Sequence, residues 1–183
     1  MRWSVVLIPL ILLVLSGCAT NKVAAYRVQT PQEYTLDTGD TVRVTVYGDE
    51  TLTNTYIITD KGTISFPLIG QVQVRGRTIV VAEKMITTLL ADGYMISPKV
   101  SVEVSAYRPF FIEGAVSQAG QYPYVWGMTA RAAVATAGGF AEYADRGRIL
   151  VYRRVGQAMT KQVIAPDEPI KPGDTIVIRE RWL

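Results

Sequence analysis

The sequence predicts an α+β protein in which small mixed sheets are each crossed by a single helix. Three observations carry that prediction. Short apolar stretches alternate with a period of two, two other stretches repeat at helical spacing, and clusters of Gly, Pro and Asp separate them. With 183 residues, 49% hydrophobic and 19% charged, the chain has ordinary globular composition and the length for one domain or two small ones. Its strands follow one another in runs instead of alternating regularly with helices, which argues against a doubly wound sheet.

The chain begins with an export leader over residues 1–17. Met1-Arg2 supplies a positive start, and residues 5–15 form an uncharged apolar run broken only by Pro9. A run of about eleven residues rising about 1.5 Å each covers roughly 17 Å, short of the bilayer's hydrocarbon thickness of about 30 Å. The competing reading is a plain secretory signal, or a short membrane anchor, with an incidental cysteine. Against it, Leu15-Ser16-Gly17-Cys18 matches the lipobox of bacterial lipoproteins at every position and at the right distance from the apolar run. The expected chemistry is a diacylglycerol thioether on the Cys18 sulfur, then cleavage before Cys18 and acylation of its new amino group. Several acyl chains, at about 0.8 kcal/mol per buried CH₂, make a lasting anchor. Ala19 follows the cysteine where an aspartate commonly marks inner-membrane retention, so the sequence resembles the default route to the outer membrane.

Residues 18–29 read as a lipidated tether, polar and without pattern. A first domain is expected over 30–107. Its turn cluster Leu36-Asp37-Thr38-Gly39-Asp40 leads into a strand over 41–47, in which Val42, Val44 and Val46 alternate. Strands follow over 55–59, 63–66 and 72–75. Over 78–91 the period changes: Val81, Met85, Ile86, Leu89 and Leu90 fall on one helical face, with Thr78 as N-cap and Gly93 as a stop. A strand over 99–107 then alternates Val100, Val102 and Val104.

The second domain is expected over 108–183, with strands over 110–116 and 122–125. Thr129 caps a short helix over 130–137, stopped by Gly138-Gly139. Further strands run over 148–154 and 175–178. Before the last strand, Lys171-Pro172-Gly173-Asp174 repeats the Gly-Asp-Thr signature found at Gly39-Asp40-Thr41. Glycine takes the turn conformation there, and the aspartate can accept from backbone amides just ahead of the strand.

Composition excludes several chemistries. Histidine is absent, which removes the commonest proton-transfer group near neutral pH and the usual Ser-His and Cys-His nucleophile pairs. A zinc site would rest on carboxylates alone. One cysteine allows no intrachain disulfide. The net charge of +3 falls to +2 once Arg2 leaves with the leader, which gives no reason to expect a nucleic-acid partner. No cofactor is expected beyond the covalent lipid on Cys18.

Laid end to end, these segments resemble the Wza-type outer-membrane polysaccharide export (OPX) family. The first domain is similar to its export-sequence domain through Gly39-Asp40-x-Val42-x-Val44-x-Val46-Tyr47-Gly48 and Asp60-x-Gly62-Thr63-Ile64-Ser65-Phe66-Pro67-Leu68-Ile69-Gly70-x-Val72. The likeness continues through the helix to Pro98-x-Val100-x-Val102-x-Val104. The second resembles the soluble-ligand-binding β-grasp (SLBB) domain, through Val116-x-x-Ala119-Gly120-x-Tyr122, the helix ending Ala137-Gly138-Gly139, and Pro172-Gly173-Asp174-x-Ile176-x-Ile178. Family members that build their own outer-membrane pore carry a further C-terminal amphipathic helix. Here Arg179-Glu180-Arg181-Trp182-Leu183 is too short for one, since a spanning helix needs about twenty residues. The resemblance is therefore to a short form with one SLBB domain.

What the resemblance implies is a non-enzymatic, lipid-anchored part of an export conduit at the periplasmic face of the outer membrane. Its partners would be further copies of itself in a ring, an inner-membrane polysaccharide co-polymerase, the exported capsular or extracellular polysaccharide, and a separate outer-membrane pore protein. The alternative is a monomeric lipid-anchored glycan-binding module. An enzyme is disfavoured, since there is no Gly-x-Ser-x-Gly elbow and no spaced carboxylate pair. Ligand-binding residues cannot be assigned from sequence, but three features are candidates. Tyr107, Phe110, Phe111, Tyr122, Tyr124 and Trp126 cluster in sequence, and are expected mainly in the core or in subunit contacts. Arg146, Arg148, Arg153 and Arg154 are expected on a solvated face. Asp40 and Asp174 are expected to be structural turn residues, not a catalytic pair.

Overall fold

Val42, Val44 and Val46 are all buried, so the alternation seen in the sequence is a real strand face turned inward. The computed structural model describes residues 33–156 and 158–181. The leader, Cys18, the tether and residues 30–32 of the first expected domain lie outside the described residues.

In chain order the first half comprises β1 (Thr41–Val46), β2 (Asn54–Ile57), β3 (Thr63–Phe66), β4 (Gly70–Gln73), α1 (Ile79–Ala91) and β5 (Val100–Ala106). β1 lies between β2 and β5, antiparallel to both, with Val44 opposite Val102 and Val46 opposite Val100. β3 and β4 form a separate hairpin. One hydrophobic cluster joins the valine face of β1 to Ile64, Phe66 and Val72 of the hairpin and to Ala82, Ile86 and Leu90 of α1. Thr78 caps α1 by accepting from the Val81 amide. The buried stripe of α1 differs from the expected one. Ala82, Ile86 and Leu90 are buried, whereas Val81 and Leu89 are 40% and 39% exposed. The small Ala82 lets the helix approach the sheet, which rotates the two larger residues to its flanks. Glu83 Oε2 accepts from the amide of Val102 at 3.3 Å, giving the edge strand β5 a partner for one of its free donors.

The second half comprises β6 (Phe110–Gly114), β7 (Gly120–Tyr122), α2 (Ala130–Thr136), β8 (Ala144–Val155), β9 (Ala158–Ile164) and β10 (Thr175–Glu180). The sheet order is β7-β6-β10-β8-β9, with β10 parallel to β6 and every other pairing antiparallel. Placing the last strand between the two hairpins, with one helix packed across, is the β-grasp arrangement. Ala130, Ala133 and Ala137 bring α2 close to Phe110, Ile112, Ile149, Val151, Ile176 and Ile178 in a second hydrophobic cluster. The structure is therefore α+β, as expected.

Three elements depart from the sequence expectation. β7 ends at Tyr122 because Pro123 has no amide to donate to a ladder. β8 starts at Ala144 where a strand was expected only from 148, because the residues around Gly147 continue the strand. β9 was not expected at all: six of its seven residues are not fully buried, so its sequence lacks a clean apolar alternation, and it is ordered by its antiparallel pairing with β8.

Candidate functional site at the seam between the two clusters

The two Gly-Asp-Thr signatures fold into the same turn. In the first, the Asp40 amide donates to the Asp37 carbonyl at 3.1 Å, and Asp40 Oδ2 accepts from the Asp37 amide at 2.9 Å. In the second, the Asp174 amide donates to the Lys171 carbonyl at 3.1 Å, and Asp174 Oδ2 accepts from the Lys171 amide at 2.7 Å. Gly39 and Gly173 take φ of +89° and +79°, which explains the glycine at both positions. Each carboxylate thereby closes its own turn three residues back.

Both aspartates are fully buried, and each meets an arginine. Asp174 receives a bidentate fork from Arg153, Nε to Oδ1 at 2.8 Å and Nη2 to Oδ2 at 2.6 Å. Asp40 receives Arg108 Nη1 at 3.2 Å on Oδ2 and the Arg108 amide at 2.9 Å on Oδ1. Tyr34 Oη donates to Asp40 Oδ2 and accepts from Arg108 Nη1 at 2.9 Å. Arg108 also reaches Asp37 at 3.5 Å, which Arg75 engages from its other oxygen at 2.9 Å. Buried charges in this arrangement are paired and hydrogen-bonded, which is the condition for tolerating them.

Arg108 lies on the short connection from β5 to β6, and its side chain covers both turns. A Cβ at Gly39 would stand 3.5 Å from Arg108 Cβ, and one at Gly173 only 2.8 Å from its Nε. Gly173 donates to the Pro109 carbonyl at 3.1 Å, and the Phe111 amide to the Asp174 carbonyl at 2.9 Å. Beside the ionic group, Tyr107 packs edge-on to Tyr34 (5.0 Å between centroids) and Tyr124 (5.5 Å), and stacks with Trp126 at 5.8 Å. Tyr124 is anchored by its hydroxyl, which donates to the Ile170 carbonyl at 3.2 Å. Burial pushes the Tyr34 hydroxyl far above its ordinary range, helped by the hydrogen bond to Asp40, and raises Tyr124 as well. The seam thus holds carboxylates that are already committed to guanidinium groups and phenols that stay protonated. Its chemistry is that of a fixed joint.

The family model described as "Polysaccharide biosynthesis/export protein" matches residues 28–105, and the model described as "SLBB domain" matches 109–163. Residues 28–105 therefore carry a polysaccharide biosynthesis/export domain, followed over 109–163 by an SLBB domain. The exopolysaccharide production protein ExoF of Rhizobium meliloti (strain 1021) is 31% identical over 128 residues, which is 63% of this chain and 30% of that protein. The chain therefore spans less than a third of the length of that relative. The two matches adjoin at the seam, with Arg108 in the interval between them. The SLBB match stops in β9, whereas the structure completes this domain with β10 at the centre of the sheet.

The candidate residues separate into distinct environments. The lipid-attachment cysteine, Cys18, lies outside the described residues. Asp40 and Asp174 are structural, each serving its own turn. The aromatic residues divide: Phe110 is buried and stacks on Tyr122, Tyr107 and Tyr124 belong to the seam, and Phe111 and Trp126 are both 44% exposed. The four arginines do not share one face. Arg153 follows Ile149 and Val151 on the helix-covered side and neutralises Asp174, while Arg148 pairs with Asp145 at 3.2 Å in solvent. Sequence reading missed Arg108 and Tyr34, because the convergence of two turns separated by more than a hundred residues has no local signature. Among the described residues, no group of three His, Cys, Asp or Glu side chains is placed to hold a metal ion, and no helix is long and apolar enough to cross a membrane.

Proposed function

We propose that this protein takes part in polysaccharide export as a lipid-anchored, oligomeric conduit component at the periplasmic face of the outer membrane. The observation that carries the reading is the ordered pair of family matches, export domain then SLBB domain, behind a lipobox ending at Cys18. In this reading residues 18–29 tether two domains, 30–107 and 108–183, to the membrane through the lipid. Copies assemble into a ring that meets an inner-membrane co-polymerase, and the polymer passes through its lumen with no bond made or broken.

Charge distribution supports a head-to-tail assembly. Residues 33–107 hold six Lys and Arg against nine Asp and Glu, and residues 108–181 hold ten against seven. One half is therefore net acidic and the other net basic. A ring needs heterologous contacts between different surfaces, and opposite charge favours that over a two-fold pairing of like halves. The rigid seam supports the same reading, since fixed geometry between two contact surfaces is what closes a ring of defined size.

Deleting the gene and locating the polysaccharide tests the role: polymer still reaching the cell surface in normal amount would refute it. Sedimentation of the detergent-extracted protein tests the assembly. A large species is expected, and a monomer with measurable sugar affinity would favour a lone glycan-binding module instead. Cys18→Ser is expected to abolish outer-membrane fractionation; unchanged fractionation would remove the anchor from the proposal.

A further inference from the structure

We infer that the open face of the β-grasp sheet carries a cleft for carboxylate groups of the exported polymer, so that the cargo is an acidic polysaccharide. The inference rests on the export role proposed above and adds the substrate class. α2 covers only one side of the sheet. On the other side, strand register aligns Val177, Leu150 and Val163 across β10, β8 and β9. Where β10 passes the start of β8, a cleft of about 210 Å³ opens, lined by Asp145, Arg148, Arg179, Glu180 and Arg181. A smaller recess shares Asp145, Arg148 and Arg179 with it and adds Leu150 and Val163. Leu150 is only 8% exposed although no helix among the described residues covers this face. The cleft thus has an apolar floor beneath a rim of guanidinium groups.

Charge in the cleft is unevenly committed. The Asp145 carboxylate is held below its usual range, first by the Gly147 amide and then by Arg148, so this ion pair is internally satisfied. Arg179 and Arg181 have no side-chain hydrogen bond or ion pair among the described residues. Glu180 is the one remaining acid in the lining. Two free forks against one carboxylate leave a net positive, donor-rich site. A guanidinium fork matches a planar carboxylate with two parallel hydrogen bonds. Beside it, the Arg181 amide donates to the Tyr143 carbonyl at 2.7 Å, and the Tyr143 side chain is 57% exposed. An apolar floor beneath a cationic rim suits an acidic sugar, whose ring is apolar on its faces and charged at its substituent. Exposed ion pairs are weak and screened by salt, which matches a cargo that has to keep moving.

The test uses the full lipidated protein in detergent, run through native gels containing either polygalacturonate or neutral dextran. Retardation is expected with polygalacturonate alone and is lost at high salt. In the Arg179→Gln/Arg181→Gln variant the apparent affinity falls about fivefold, while Arg131→Gln, on α2, leaves it unchanged. Arg148→Gln provides a second variant with its own expected loss. Equal retardation by dextran, or an unaltered double variant, overturns the cleft. Composition of the polymer that disappears from the surface of the deletion strain separates the two ideas. A polymer free of carboxylates sinks this inference and leaves the export role standing, whereas surface polymer unaffected by deletion sinks the role itself.

Discussion

Arg108 and Asp40 meet across 68 positions of sequence, with the guanidinium Nη1 3.2 Å from a carboxylate that is fully buried. Asp40 belongs to the turn that starts the first valine strand, and Arg108 to the connection that starts the β-grasp sheet. The same arginine covers Gly173 of the second turn. One side chain therefore fixes how the export domain and the SLBB domain are joined, and the stability of that joint should be measurable residue by residue.

Truncating Asp40 removes the acceptor for two backbone amides, a phenol and a guanidinium. Asp40→Ala should cost about 3–5 kcal/mol, the range for breaking a buried ion pair at one partner. Arg108→Ala should cost less, because Tyr34 and both amides still satisfy the carboxylate and Arg108 is itself 23% exposed. Urea unfolding of both variants tests the ranking. Equal losses would mean that the arginine, not the turn, dominates the joint.

Glycine substitutions should rank by what the new Cβ meets. Gly114 has φ +88°, and a Cβ there would stand 2.1 Å from the Ile178 carbonyl oxygen on the neighbouring strand. The backbone has nowhere to yield, so Gly114→Ala should abolish folding of the sheet. Gly173→Ala, where the obstacle is the Arg108 side chain, should be intermediate. Gly48 has φ +90° and open space around it, so Gly48→Ala should cost only the left-handed backbone penalty of about 1–2 kcal/mol. Soluble yield and thermal melting of the three variants give the order.

Much of this architecture was legible locally. Valine alternation in β1, the threonine caps at Thr78 and Thr129, and the Gly-Asp turns each carry their signal within a few residues. What stayed hidden depends on distant partners. β9 borrows its order from β8, Arg153 looked like one of several surface arginines until Asp174 appeared beside it, and Arg108 acquires meaning only when two turns converge. The open cleft was hidden for the same reason: Arg148 and Arg179 lie on different strands, and only the position of β10 beside β8 brings them together.

Alkaline pH should loosen the seam before the rest of the described fold. Burial raises the hydroxyls of Tyr34, Tyr56, Tyr107 and Tyr124, with the charge of Asp40 adding to the effect at Tyr34 and Tyr107. Below about pH 10 these phenols are protonated in both folded and unfolded chains, so they add no pH dependence. Above it the unfolded chain releases their protons while the folded chain keeps them, and stability falls as pH rises. Urea midpoints are expected to be flat from pH 8 to near 10 and to drop beyond. Tyr34→Phe should lose about 1–2 kcal/mol at pH 8, from its hydrogen bond to a charged acceptor, and then decline less steeply. A slope identical to the wild type would remove Tyr34 from the titrating set.

Thr38 offers a test in the opposite direction. Its hydroxyl is the one buried side-chain polar atom without a hydrogen-bond partner among the described residues, although its amide is held by Asp37 Oδ1 at 2.8 Å. An unsatisfied buried hydroxyl costs free energy, whereas an apolar group of the same shape does not. Valine keeps the branching at Cβ and replaces only the hydroxyl. Thr38→Val should therefore leave stability unchanged or raise it by up to about 1 kcal/mol, even though it sits in the turn that Asp40 closes. A loss above about 1 kcal/mol in urea unfolding would mean that the hydroxyl bonds to an ordered water, and that the seam is wetter than its aromatic packing implies.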